Sequence, residues 1–235
     1  MDNRIQAVGE QVIRALEAKY QARERALAGS RATIRNCAHS IRASHRGELD
    51  TARSLRGEAG GLVAGTRDDL IGEHPDIYWT GYVQDAQKEY SEANIVYAVI
   101  AGEDIPTPEQ LGVEPAAYLN GLGEAAGEMR RFVLDRIRHG EAERCEQVLD
   151  TMEDIYSLLV TVDFPDAITN GLRRTTDMVR GVLERTRGDV TFALQQRQLT
   201  EALARAGIEN ATVALPIETA TDTESGERQP TGDGS

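Results

Sequence analysis

The sequence predicts an all-α fold, an antiparallel bundle of about six to seven helices with a long first helix. Seven prolines in 235 residues, hardly any alternating apolar run that could form a strand, and apolar residues recurring at steps of three and four point there. Ile5, Val8, Val12, Leu16 and Tyr20 keep helical spacing. The pattern continues without a breaker through Ile34, Cys37, Ala38 and Ile41 to the stop at His45-Arg46-Gly47, which makes one long first helix. A second helix spans about 48–73, weakened at Gly60-Gly61 and ended by His74-Pro75, because the residue before proline is pushed out of the helical region. A third runs from Pro75 to Ala101. Pro106-Thr107-Pro108 marks a loop, Pro115 opens a fourth helix through Arg138, and Gly140 caps it. A fifth runs from Glu141 to Val162. Pro165 starts a sixth, which carries Leu172, Val179, Val182, Leu183, Val190 and Leu194. Residues 1–208 read as one helical domain. Residues 209–235 read as a disordered acidic tail, since Thr, Gly, Asp and Glu without apolar partners cannot offset the entropy of ordering.

The charge balance is 39 acids against 26 bases, net −13, and only Lys19 and Lys88 among the bases are lysines. An acidic, lysine-poor surface stays hydrated in concentrated salt, where charge repulsion is screened, so a salt-loving source is expected. Phosphate affinity rests on counterion release, so an acidic chain that binds nucleic acid must do so through a local arginine surface. Cys37 and Cys145 have no Cys/His cluster around them and read as reduced, buried residues. The polar N-terminus lacks a signal-peptide core and no segment reaches the ~20 apolar residues of a membrane span, which leads us to expect a cytoplasmic protein away from membranes.

The chemistry sits on the third and fourth helices. Tyr78, Tyr82, Asp85, Glu89, Glu92, Val96 and Val99 share one helix face, beside an apolar stripe of Val83, Ala86, Tyr90, Ala93, Tyr97 and Ile100. Carboxylates one turn apart at the edge of a buried stripe repel each other and resist desolvation unless a cation or an arginine neutralises them. The fourth helix repeats the pattern: Glu124 and Glu128 flank a stripe of Tyr118, Leu122, Ala125, Met129 and Phe132. Gly121, Gly123 and Gly127 there indicate close approach by another helix or a ligand. Four carboxylates from two neighbouring helices suit a hard, oxygen-seeking ion, Mg²⁺ or Mn²⁺. The plainer alternatives are a solvated face for Glu89 and Glu92, and a pair with Arg131 for Glu128. Asp85 reads as an exposed neighbour, and Asp150, Glu153 and Asp154 as solvated surface. Tyr78, Trp79 and Tyr82 read as packing at a helix start ahead of base stacking.

Several strings fall in a recognisable order: Glu24-Arg25 with Ser30-Arg31, then His45-Arg46, Glu89-Tyr90-Ser91-Glu92-Ala93, Tyr118-Leu119 with Gly121-Leu122, Gly127-Glu128, and Leu172-Arg173-Arg174 with Glu184-Arg185-Thr186-Arg187-Gly188. Over roughly residues 18–190 the chain resembles the translin/TRAX family, and its archaeal TRAX-like members in particular. The resemblance implies seven-helix subunits assembled as a hollow homo-octamer. It further implies binding of single-stranded RNA, with single-stranded DNA as a second partner, and a Mg²⁺-dependent endoribonuclease. The implied catalytic set is Glu89, Glu92, Glu124 and Glu128, with Glu92 and Glu128 as direct metal ligands. Arg25, Arg31, Arg46 and Arg131 are the implied phosphate partners, with Arg35, Arg42, Arg173 and Arg180 as further candidates. Glu124 stands where the family has aspartate, and a displacement of ~1 Å at a reacting centre costs ~100-fold in rate. A non-catalytic nucleic-acid-binding cage is therefore the alternative expectation.

Overall fold

The structure, a computed structural model, describes residues 3–141 and 143–206. The expected all-helical bundle with a long first helix is what forms. The described residues make α1 (Asn3–His45), α2 (Leu49–Leu70), α3 (Pro75–Tyr78), α4 (Gly81–Ala101), α5 (Pro108–Leu111), α6 (Pro115–Arg138), α7 (Glu143–Thr161), α8 (Asp166–Thr169) and α9 (Leu172–Arg205). Three of these are single turns. The chain divides into two compact units, residues 1–195 and 196–235, and the described part of the second is the last turns of α9 with Ala206. The expected tail, 209–235, lies outside the described residues. Among the described residues no helix is long and apolar enough to cross a membrane.

The breaks refine the expected elements. The third expected helix divides at Trp79-Thr80: Thr80 is extended, with φ −74° and ψ 149°, and its hydroxyl donates to the Ile77 carbonyl at 2.6 Å. The sixth divides at Asn170-Gly171, where both residues take positive φ (51° and 79°) and turn the chain between α8 and α9. Neither break disturbs the apolar period, which is why periodicity alone runs through them. The 102–114 connection gains α5, opened by Pro108 and a reciprocal cap between Thr107 and Gln110.

Contacts along the helices fix their directions. Ser40, Asn36 and Gly29 of α1 meet Ala52, Glu58 and Thr66 of α2, an antiparallel hairpin. Gly60 and Arg56 of α2 meet Tyr90 and Asn94 of α4, again antiparallel. Between α4 and α6 the order is different. The connection 102–114 returns along the bundle, so that Gln87 accepts from the Glu114 N–H at 2.8 Å and Tyr78 donates to the Glu114 carboxylate at 2.8 Å. From that anchor α6 runs in the same direction as α4. α7 comes back against α6, Cys145 lying by Val133 and Leu159 by Gly123. α9 then runs beside α6: Thr175 meets Asn120, and Arg130 reaches Thr186 and Asp189.

The main core joins α4, α6, α7 and α9 through Ile95, Met129, Val133, Met152, Leu159 and Val179, all at most 2% exposed. The apolar stripe of α4 lies in the interior as expected, and Tyr78 is buried, while Trp79 is exposed. The start of α1 forms as the spacing predicts, yet its apolar stripe stays uncovered. Ile5, Val8, Val12, Leu16 and Tyr20 keep helical spacing but are 50–66% exposed; along those turns Lys19 forms an ion pair with Asp76 of α3.

Candidate metal centre

α4 and α6 touch at backbone level. A Cβ on Gly121 would collide with the Lys88 carbonyl and the Ser91 side chain, so glycine is required for this approach. Gly123 is likewise closed off, by Thr175, Leu159 and Val179, whereas Gly127 faces open space. The close parallel crossing brings an i,i+3 pair of acids on α4 level with an i,i+4 pair on α6.

Glu89, Glu92 and Glu124 each offer a carboxylate oxygen, and these oxygens all lie within 4.8 Å of one another. Glu92 is only 9% exposed and makes no hydrogen bond or ion pair among the described residues. Burial above all, and then the charges of Glu89, Glu124 and Glu128, push its carboxyl up to about 8. Burial also raises Glu89, where the Lys88 ammonium opposes it and Glu124 adds to it. A buried carboxylate without a donor, facing two more carboxylates, is a donor set for a hard cation; an all-oxygen set excludes the soft thiophilic metals. The residues present therefore fit Mg²⁺ or Mn²⁺.

The fourth expected acid stands apart from that trio. Glu128 accepts from His45 Nε2 at 2.6 Å and faces Arg131 at 3.5 Å. The hydrogen bond from His45 outweighs burial and, with Arg131, holds Glu128 below the usual carboxylate range. His45, its side chain 4% exposed, is thus part of this site and not only the end of α1. Lys88 also enters it: its ammonium donates to Glu124 at 2.7 Å and lies 3.5 Å from Glu89. Burial works against that charge, but the surrounding acids prevail and raise its pKa. The apolar reading of Cys37 holds. Burial, with the charges of Glu89 and Glu92, pushes its thiol up to about 12.

The expected phosphate partners divide. Arg25 pairs with Asp69 at 3.7 Å, Arg46 with Glu48 at 2.6 Å, Arg131 with Glu128, and Arg180 with Glu184 at 3.1 Å. Arg31, Arg35, Arg42 and Arg173 are exposed and make no ion pair among the described residues. At 3.6 residues per turn Arg31, Arg35, His39 and Arg42 fall within about 80° of one another, a basic stripe on the exposed face of α1 that Arg46 continues just past its end. That stripe was visible in the sequence as spacings of four, four, three and four, but an acidic chain makes single arginines look like ion-pair partners. Beside the carboxylates opens a cleft of about 480 Å³, bordered by Lys88, Glu124, Asn120, Gly171, Arg174 and Thr175. Asn120 ties its walls together: it donates to the Thr169 carbonyl at 2.8 Å and accepts from the Thr175 hydroxyl at 2.7 Å. Contacts of this kind join residues some fifty positions apart, which spacing along one helix does not reveal.

No family model matches the chain. It is 31% identical over 199 residues to MJ0175, an uncharacterized protein of Methanocaldococcus jannaschii, across 84% of this chain and 87% of the relative. Two structures of the translin-family protein AfC3PO, one a complex with duplex RNA, align with a TM-score of 0.73 and 33% identity. They span 80% of this chain and 97% and 98% of theirs. The chain belongs to the translin/TRAX family. A third translin-family structure, apo-NeC3PO, shares the fold at a TM-score of 0.67 and 23% identity, over 82% of this chain and 98% of its own. Within this translin/TRAX chain, the carboxylate trio lies on the two helices that carry the family-like strings Glu89-Tyr90-Ser91-Glu92-Ala93 and Gly127-Glu128.

Proposed function

We propose that this protein binds RNA and cleaves it as a Mg²⁺- or Mn²⁺-dependent endoribonuclease, acting on single-stranded RNA at the cluster of Glu89, Glu92 and Glu124 with Glu128 beside it. The observation that carries the reading is Glu92, a buried carboxylate with no donor among the described residues, set against two further carboxylates. A divalent ion at such a site supplies Lewis-acid charge to a phosphodiester and lowers the pKa of a water. Glu89, Glu92 and Glu124 are the residues that would hold it. Glu128, kept ionised by His45, adds negative charge one turn further along α6. RNA is gripped through phosphates by Arg31, Arg35 and Arg42, the unpaired part of the α1 stripe, with Arg25, Arg46 and Arg131 contributing when they exchange their carboxylate partners for phosphate. Binding of duplex RNA by AfC3PO supports an RNA ligand and widens the test to duplex substrates. Single-stranded DNA is a second ligand of the same surface.

The assembly is a homo-oligomer, an octamer by family likeness, and the uncovered apolar residues of α1 from Ile5 to Tyr20 supply a face that a neighbouring copy would cover. The lysine-poor acidic surface fits a cytoplasm of high salt. A second reading, a nucleic-acid-binding cage without catalysis, is favoured by two observations: Lys88 already neutralises Glu124, and His45 and Arg131 already engage Glu128.

Purified protein and a Glu89→Ala/Glu92→Ala variant, incubated with labelled single-stranded and duplex RNA with and without Mg²⁺, separate these. Cleavage by the wild type alone, and only with metal, is expected. Equal cleavage by both proteins removes the site assignment, and binding without cleavage by the wild type establishes the cage. If the wild type binds no RNA at any salt concentration, both readings fail.

A further inference from the structure

Lys88 is one of only two lysines in a chain otherwise furnished with arginine, and it sits where the metal-holding carboxylates meet the neighbouring cleft. Its ammonium is 2.7 Å from Glu124 and 3.5 Å from Glu89, and its side chain is 23% exposed. The same side chain borders the cleft of about 480 Å³, across which Arg174 makes no ion pair among the described residues. The cleft walls also carry Asp85 and Glu124, so the basic groups there are balanced by acids as long as Glu124 is paired with Lys88 and not with a divalent ion. An ammonium and a divalent ion compete for the same oxygens of Glu124, and a flexible four-carbon stem allows the ammonium to move where a guanidinium fork would stay in place.

We propose that the cleft is a phosphate subsite for the nucleic acid, served by Arg174 and, once Lys88 is exchanged at Glu124 for a divalent ion, by the Lys88 ammonium as well. Metal binding and RNA binding are then coupled through one side chain, and by linkage each strengthens the other. This rests on the reading that Glu89, Glu92 and Glu124 hold a divalent ion. Asn120 and Thr175 hold α6 and α9 at the spacing that keeps the cleft open.

The test uses the full chain, with Lys88→Gln and Arg174→Gln variants whose folding is checked by circular dichroism. Mn²⁺ affinity is measured by electron paramagnetic resonance. Affinity for a labelled phosphorothioate oligoribonucleotide is measured by fluorescence anisotropy in EDTA and again in Mg²⁺. Lys88→Gln is expected to bind Mn²⁺ roughly tenfold more tightly, the worth of one charge-assisted hydrogen bond no longer displaced. Arg174→Gln is expected to weaken the oligonucleotide several-fold in both conditions, and Lys88→Gln only in Mg²⁺, since in EDTA the ammonium is tied to Glu124. Equal Mn²⁺ affinity of wild type and Lys88→Gln overturns the exchange while leaving the metal site standing. Loss of oligonucleotide affinity by Lys88→Gln to the same extent in EDTA and Mg²⁺, or in neither, overturns the subsite's dependence on metal. Failure of the wild type to bind Mn²⁺ overturns the metal reading and this proposal together.

Discussion

Glu92 concentrates the electrostatic cost of the site in one side chain. Its carboxyl, pushed up to about 8 from an ordinary 4.5, stabilises the folded chain most below pH 4.5, and that contribution is lost as the pH rises through 8. Glu128 has the opposite sign: held below 4.5 by His45, it stabilises above 4.5 and ceases to as the pH falls through its folded value. In EDTA the melting temperature should therefore decline between pH 6 and pH 9, and calorimetry should show Mg²⁺ flattening that decline. Glu92→Gln removes the buried charge. At pH 8.5 in EDTA it should melt above the wild type, by about 2–4 °C for each kcal/mol relieved, and it should lose the metal-dependent shift. A variant that melts lower and still responds to Mg²⁺ would show that Glu92 lies outside the metal set. The convergence of Glu89, Glu92 and Glu124 was legible because each pair of acids interrupts the edge of an apolar stripe. The engagement of Glu128 by His45 was not, since those residues are 83 positions apart and their contact depends on how α1 lies against α6.

At the level of helices, the crossing of α4 and α6 depends on Gly121. Gly121→Ala should destabilise by about 1–3 kcal/mol, as overpacking against backbone does, and should weaken Mn²⁺ binding because α6 must back away from Glu92. Gly127→Ala meets nothing and should stabilise by up to about 1 kcal/mol through helix propensity; urea titration of the two variants makes the comparison. The α1 stripe yields a separate expectation. An Arg31→Ala/Arg35→Ala/Arg42→Ala variant should bind single-stranded RNA more weakly and lower the slope of log affinity against log salt by about 0.7 for each phosphate no longer neutralised. An unchanged slope would place RNA elsewhere. Long helices and their apolar faces were readable from periodicity and prolines. The direction of α6 was not, because nothing in residues 102–114 states that the connection returns along the bundle; Gln87, Tyr78 and Glu114 reveal it only once folded.

For the whole chain, the same periodicity that outlined the core and the first helix left open what covers the start of α1. An apolar stripe reports that a face wants cover and does not say whose atoms provide it. Deleting residues 1–20 should leave the melting temperature of the remainder nearly unchanged, since those side chains touch little of the described chain, and should reduce the assembly size seen by light scattering. An unaltered assembly would assign the stripe another partner. With a net charge of −13, the protein should also gain melting temperature as KCl is raised toward about 1 M, where the screening length falls to about 3 Å. α1 is 43 residues long, about 65 Å of uninterrupted rod. The uncovered end, the guanidinium row and the imidazole against Glu128 are all fastened to that one strut. Bare along its first half and buried on one face from Ala22 to Ser44, the strut is anchored where the imidazole stands, so a load on its free end would reach Glu128 only by shifting the helices that clamp it.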